Sequence, residues 1–262
     1  MKEDNQRLID EALAQEPIRN TFRLSWEFLI LNKQFTLTAM SMLLLLNILS
    51  QFIGLLAMVL SGILSLCVQI YLSRFIYETK SIQTFIAQTK ESKFENVVAK
   101  NFYISMGAYL GNVILLIGFI FMLIFLLKSN GFDLEHFDES QLLSMVQVIA
   151  IPLFASLLLV SYIHPLVQSN VALSNSFSEA FFAVFSIFSI SLWKRAFNGT
   201  YFKYISLIIL LISGVALFLE ILFQVPILNI IANFLLIVLM YVYIVVLSIT
   251  AMIARRVVET QS

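Results

Sequence analysis

The residues best suited to chemistry lie in one short polar segment, residues 128–141, between two apolar stretches. The segment contains four carboxylates and a histidine: Asp133, Glu135, His136, Asp138 and Glu139. Carboxylate oxygens of this kind bind hard divalent cations such as Ca²⁺. The segment lacks the regular ligand spacing and the turn glycine of a defined calcium loop. We therefore interpret it as a solvated acidic loop and predict no metal site.

Two further residues, His164 and Glu179, are the acid–base candidates of the chain. Each stands alone, and one ionisable group without a positioned partner does not make a catalytic site. Cys67 is the only cysteine, so neither an intramolecular disulfide nor a thiolate metal site can form. No phosphate-binding loop, nucleophile elbow or zinc-binding helix motif occurs. The pattern predicts a protein that is not an enzyme and has no cofactor.

Polar residues inside the apolar stretches are the remaining functional candidates. Four of them could line a polar path for a small solute or a lipid: Asn112, Gln147, His164 and Asn233. Transport of ions or protons needs an ionisable side chain near the middle of the membrane, and the apolar stretches place no carboxylate or basic residue there. Hydrogen bonding between helices is the favoured role for each amide, and the polar path is the alternative.

The composition predicts the elements that must position these residues. The 262 residues are 60% hydrophobic and 12% charged, whereas a soluble domain is about half apolar and a quarter charged. Such a chain needs lipid around it, and a helix needs about 20 apolar residues to cross a hydrocarbon core of roughly 30 Å. We predict an all-α polytopic membrane helical bundle, with a membrane domain over 34–254 and six transmembrane helices at about 35–50, 54–77, 102–127, 142–167, 201–223 and 229–252.

The basic residues predict the orientation of this bundle. Fifteen of the sixteen Lys and Arg residues fall on one side of the six spans, and only Lys128 falls on the other. Basic residues close to the ends of spans are retained in the cytoplasm. The prediction is a multi-pass protein of the cell membrane, the inner membrane in a Gram-negative cell, with both termini cytoplasmic.

Two segments on the basic side are predicted to lie along the membrane surface. One is residues 18–33, the amphipathic part of the cytoplasmic N-terminal segment 1–33, for which a solvated helix against other protein is the alternative. The other is a helix at 176–193 inside the cytoplasmic connection 168–200. The second is nearly long enough to be a seventh span, but crossing would move the basic residues that follow it to the outside. An in-plane or re-entrant helix fits better. Basic residues of both segments are predicted to contact anionic lipids or a protein partner: Arg19, Arg23, Lys194 and Arg195.

Small residues at helical spacing predict close helix packing. The third predicted span carries Gly107, Gly111 and Gly118 on one face, and the second carries a similar stripe: Ala57, Ser61 and Ser65. Small side chains allow two backbones to approach each other inside a membrane. Packing within the chain is the favoured interpretation, and the seam of a homo-oligomer is the alternative.

The layout of the chain resembles that of known membrane families. Six spans, long cytoplasmic connections and a run from Ser176-Phe-Ser-Glu-Ala-Phe through Trp193-Lys-Arg into a span resemble bacterial six-helix membrane families of unknown function. The layout is also similar to that of the membrane domain fused to some glycerophosphodiester phosphodiesterases. The resemblance covers most of the chain but concerns its layout, so it assigns no catalytic residue to any position.

Three functional hypotheses follow from these patterns. The leading one is a non-enzymatic accessory or scaffold protein of the cell envelope, with membrane lipids and a protein partner or a second copy as contacts and no nucleic acid. The alternative is a small-solute or lipid transporter that uses the polar path. The third is a membrane enzyme at the cytoplasmic interface, which would depend on Glu179 or His164 as an isolated acid–base group.

Overall fold

A computed structural model describes residues 16–79, 82–132, 142–224 and 229–260. Within these ranges the chain forms ten α-helices and one short 3₁₀ turn, Phe185–Phe188, and no strand. The helices are α1 Pro17–Leu31, α2 Lys33–Ile53, α3 Leu55–Glu78, α4 Ile82–Glu91, α5 Phe94–Ser129, α6 Leu142–Ala172, α7 Phe177–Val184, α8 Ile190–Ala196, α9 Gly199–Phe223 and α10 Asn229–Glu259.

Six of these helices are long and apolar enough to cross a membrane, namely α2, α3, α5, α6, α9 and α10. The predicted all-α membrane bundle is therefore confirmed. Several helices run further than the spans drawn from the sequence: α5 begins at Phe94 rather than near 102, and α10 continues to Glu259 rather than 252. The limits of the spans predicted from the sequence were placed at charged residues. Lys, Arg and Glu are good helix formers, so these helices continue past the apolar region into the charged one.

The turn between α2 and α3 is a single residue, Gly54, within the predicted turn region 47–54. Its backbone has φ 47° and ψ −117°, a conformation that side chains with a Cβ atom rarely adopt. A glycine at this position allows the chain to reverse without a loop. Two other predicted connections, the acidic segment 133–140 with its five candidate ligands and the turn at Pro226, lie outside the described residues.

The core of the bundle is α10, which packs against α1, α2, α3, α6 and α9. From Val245 to Ala254 every residue of α10 is buried, including the polar Ser248 and Thr250. Ser73 on α3 donates a hydrogen bond to the Ser248 carbonyl at 3.0 Å. The central helix is therefore held by close packing and by occasional polar contacts between helices.

The helix α1 packs along one face against α10 and α4. Its buried residues are Thr21, Leu24, Ser25 and Phe28, spaced so that they form one stripe on the helix. The Thr21 hydroxyl is 2.6 Å from the buried Tyr204 hydroxyl of α9. The opposite face exposes Phe22, Trp26 and Ile30 next to Arg19 and Arg23, the composition of a helix at a membrane surface.

The segment predicted as an in-plane or re-entrant helix is a bent pair, α7 and α8, with a change of direction of 64° at Ser189. The pair starts just after Ser174, whose carbonyl accepts a hydrogen bond from Arg74. It ends just before α9. Near the start of α9, Tyr204 lies beside Thr250 of α10, and Thr250 is five residues before Arg255. Both ends of the pair thus lie at the end of the bundle that carries Arg74, Arg255 and Arg256, called the charged end below. A re-entrant segment at this end stays our prediction for the bent pair, which would be a seventh, broken span if it crossed the membrane.

The halves of α5 and α6 that lie away from the charged end form an arm with little packing. No residue of 112–126 or 143–162 is buried in the described structure. Exposed large side chains there include Phe121, Phe125, Ile151 and Phe154. We call these two stretches the outer arm.

Candidate functional site

Hydrogen bonds from arginine side chains connect the helices at the charged end. Arg74 Nε donates to the Ala172 carbonyl at 2.5 Å, and Arg74 Nη2 donates to the Ser174 carbonyl. These acceptors lie at the C-terminal end of α6, where carbonyl groups lack helical partners and the helix dipole is negative. Arg74 therefore caps α6 from the neighbouring helix α3.

Two arginines of α10 connect its own end to α3 and α6. Arg255 Nη1 donates to Asn170 Oδ1 at 3.2 Å, and its guanidinium lies 5.9 Å from the centre of the Tyr77 ring. Arg255 Nε also pairs with Glu259 at 2.7 Å. Arg256 Nη2 donates to the Tyr77 carbonyl at 3.3 Å. The three arginines of the charged end thus hold the C-terminal ends of α3, α6 and α10 side by side.

Glu179 occupies a structural position at the start of α7. Its Oε2 accepts a hydrogen bond from the Asn175 backbone N–H at 2.7 Å, and the Ser176 hydroxyl accepts one from the Glu179 N–H at 3.2 Å. Ser176 is thus the N-cap of α7, and Glu179 differs from the partner in a capping box because it accepts from the residue before the N-cap. Among the residues that the structure describes, no group of three or more His, Cys, Asp or Glu side chains could hold a metal ion.

His164 lines a cavity of about 240 Å³ between α6, α9 and α10. Four hydroxyl-bearing residues share this cavity: Ser161, Ser213, Tyr243 and Thr250. His164 forms no hydrogen bond with any described residue, and Thr250 Oγ1 is buried without a hydrogen bond of normal geometry although Tyr204 is close to it. This cavity brings an imidazole and several hydroxyl groups together beside an apolar groove, so we take it as the candidate binding site.

The other members of the predicted polar path lie elsewhere. Asn112 on α5 and Gln147 on α6 are both exposed on the outer arm. Neither lines the His164 cavity. The backbone of Asn233 is part of α10, and its side chain lies outside the described residues. The described structure therefore does not join these amides and His164 into one path.

The predicted packing residues fall into two groups. A Cβ atom at Gly107 would collide with the Phe177 carbonyl, and one at Gly111 would lie 2.9 Å from the Phe181 carbonyl, so the backbones of α5 and α7 touch. Gly118 has no described atom within 4 Å of its Cβ position. Three other small residues, Ala57, Ser61 and Ser65, line a second cavity of about 340 Å³ between α2, α3 and α10.

Lys194 and Arg195 are exposed in the last turn of α8. Basic residues in this position interact favourably with the helix dipole.

Comparison with known proteins supplies no relative. The chain matches no protein-family model, no curated protein and no solved structure.

Sequence reasoning missed the four hydroxyl-bearing residues that complete the polar lining of the His164 cavity: Ser161, Ser213, Tyr243 and Thr250. Each occurs in an apolar run where a single hydroxyl carries no signal. The pair His164-Pro165 is the feature that could have indicated the site, because proline has no N–H and leaves the carbonyl four residues earlier, at Ser161, without its helical donor.

Proposed function

We propose that this protein is a non-enzymatic accessory protein of the cell membrane that binds another membrane protein, or a second copy of itself, through the outer arm. Its charged end and both termini face the cytoplasm. The observation that carries this proposal is the exposure of two amide side chains, Asn112 and Gln147, on the poorly packed arm.

The physical reason is the cost of an unpaired amide in hydrocarbon. Neither Asn112 nor Gln147 forms a hydrogen bond with a described residue. Asn112 also lies far from the nearest charged residue before it on α5, Lys100, which is 12 residues or about 18 Å away. Transfer of an unpaired amide out of water costs about 2–7 kcal/mol, depending on the reference state. A polar group on a partner helix would remove this cost, and such contacts act as the glue between membrane helices.

The charged end supports the same function. Its helix ends are fixed to each other by Arg74, Arg255 and Arg256, and its exposed surface carries α1 and the bent pair. A rigid base with an unpacked arm suits a protein that positions a partner. Transport by a polar path is less well supported, since only His164 among its candidates borders a cavity in the described structure.

A site-specific cross-linking experiment tests this proposal. A photoreactive amino acid replaces Ile117 on the arm or, as the control, Leu210 on α9; both positions are exposed. We expect one adduct of defined mass from position 117 and none from position 210. Because a hydrogen bond between membrane helices is worth about 1–2 kcal/mol in model peptides, Asn112→Leu should lower the adduct yield about five- to thirtyfold.

Two results would contradict the proposal. One is equal cross-linking from positions 117 and 210, which would mean random collisions in the bilayer. The other is an adduct yield that Asn112→Leu and Gln147→Leu both leave unchanged. The mass of the adduct distinguishes a second copy from a different protein.

A further inference from the structure

We propose that the His164 cavity binds the head group of an uncharged, hydroxyl-bearing lipid, and that the apolar groove beside it holds the hydrocarbon tail. This site is separate from the outer arm, so it does not depend on the accessory role proposed above.

Unpaired polar groups define the head-group end. The Thr250 side chain is fully buried beside the Tyr204 hydroxyl, to which its Oγ1 makes no hydrogen bond of normal geometry. The Ser161 carbonyl loses its helical donor because residue 165 is proline. The His164 ring adds a donor or an acceptor, since a neutral imidazole has one of each. A hydroxyl group can both donate and accept a hydrogen bond, so it can pair with the donors and with the acceptors of this cavity.

The charge of the lining excludes the common anionic head groups. No Lys, Arg, Asp or Glu is among the described residues that line the cavity. A phosphate or a carboxylate would lose its hydration there without gaining a countercharge, which is very costly in an apolar medium. An uncharged alcohol avoids this cost.

The neighbouring groove fits a hydrocarbon tail. It has a volume of about 260 Å³ between α9 and α10 and shares Ile208, Ile212 and Tyr243 with the cavity. Its lining along α9 extends from Ile208 to Leu219, which is about 16 Å of helix. That length is close to half of a hydrocarbon core of roughly 30 Å. The length of the groove therefore matches the hydrocarbon thickness of one leaflet.

The two compartments have the order that a lipid requires. Thr250 lies five residues before Arg255, which places the polar cavity about 8 Å from the charged end. The groove continues from the level of Ile208 away from that end, toward Leu219. A lipid in the leaflet at the charged end would thus enter with its hydroxyl near the boundary and its tail toward the bilayer centre. Ser161 and Ser213 are exposed, so the cavity opens sideways between α6 and α9.

Photolabelling of the purified full-length protein in lipid nanodiscs tests this proposal. The probe is a monoacylglycerol with a diazirine in its acyl chain, and peptide mass spectrometry locates the adduct. We expect labelling of α9 and α10 residues that line the groove. Unlabelled monoacylglycerol should compete at least tenfold more strongly than a fatty acid or phosphatidylglycerol of the same chain length.

Two pairs of variants separate the site from the general lipid-facing surface. Thr250→Val should reduce labelling about fivefold, the effect of one hydrogen bond. Thr89→Val should leave labelling unchanged, although the Thr89 hydroxyl is equally buried and unpaired among the described residues. Ser213→Phe, which fills the opening, should abolish labelling, whereas Leu210→Phe at another exposed position of α9 should not.

Equal labelling of the Ser213→Phe and Leu210→Phe variants would overturn the proposal, as would equal competition by the anionic lipids. If Thr250→Val unfolds the protein, the pair at positions 213 and 210 still decides the question, because both side chains are exposed.

Discussion

At the scale of single residues, Arg74 shows how a charge near a membrane is used for structure. Both of its described hydrogen bonds go to backbone carbonyls after α6, at Ala172 and Ser174. Replacement by methionine would keep the volume and remove both donors, leaving carbonyl groups of a helix end without partners. A hydrogen bond to a charged group contributes about 1.5–3 kcal/mol, and solvent weakens both bonds because Arg74 is only partly buried. We therefore expect Arg74→Met to destabilise the protein by about 2–4 kcal/mol, measured as a lower midpoint of thermal unfolding in detergent.

Arg195→Met is the matched control, because Arg195 is exposed on α8. Its unfolding midpoint should stay close to that of the unmodified protein. Equal midpoints for the Arg74→Met and Arg195→Met variants would show that Arg74 does not hold α6.

At the scale of elements, the contact of α5 with α7 holds the start of the bent pair against a long helix. The backbone of α7 approaches so closely that a Cβ atom at Gly107 would overlap the Phe177 carbonyl. Carbonyl atoms in a helix cannot turn aside as a flexible side chain can. We expect Gly107→Ala to push α7 away and to destabilise the protein by about 1–3 kcal/mol, the usual cost of overpacking. The measurement is thermal unfolding together with the rate of proteolysis in the segment 173–176, which joins α6 to α7.

Gly118→Ala provides the comparison on the same helix, because no described atom lies within 4 Å of that Cβ position. It should be neutral or slightly stabilising, as alanine favours a helix over glycine. A loss of stability at position 118 equal to that at 107 would contradict the assignment of this contact.

At the scale of the whole molecule, the bundle has one end rich in basic residues and one nearly free of them. Ser129 lies at the second end, beside Lys128, and Ser178 lies at the charged end, at the start of α7. If basic residues retain their segments in the cytoplasm, then in intact cells a cysteine at position 129 should react with a membrane-impermeant thiol reagent. A cysteine at position 178 should react only after the membrane is opened.

The labelling uses a Cys67→Ala background, which removes the only native thiol. Both test positions are exposed in the structure, so a lack of reaction reports the membrane and not burial. Labelling of position 178 in intact cells, with position 129 protected, would reverse the proposed orientation.

Composition and the length of the apolar stretches were enough to predict the class of the molecule and its six long apolar helices. Hydrophobic length and the near absence of charge have few other solutions, because every backbone polar group inside a membrane must find a partner within its own helix or a closed barrel. The glycine pattern also pointed to close packing, and Gly107 and Gly111 do lie against another backbone.

Which residues meet could be seen only in the folded structure. The partner of Gly107 is α7 rather than another long helix, and Glu179 binds the backbone at the start of α7. Asn112 and Gln147 lie on the outer arm, while Thr250 joins His164 in a cavity. Helical periodicity shows which residues share a face of one helix, but it contains no information on which neighbour that face will meet. That choice depends on packing and hydrogen bonds between segments far apart in the chain, such as Arg74 with Ala172 and Thr21 with Tyr204.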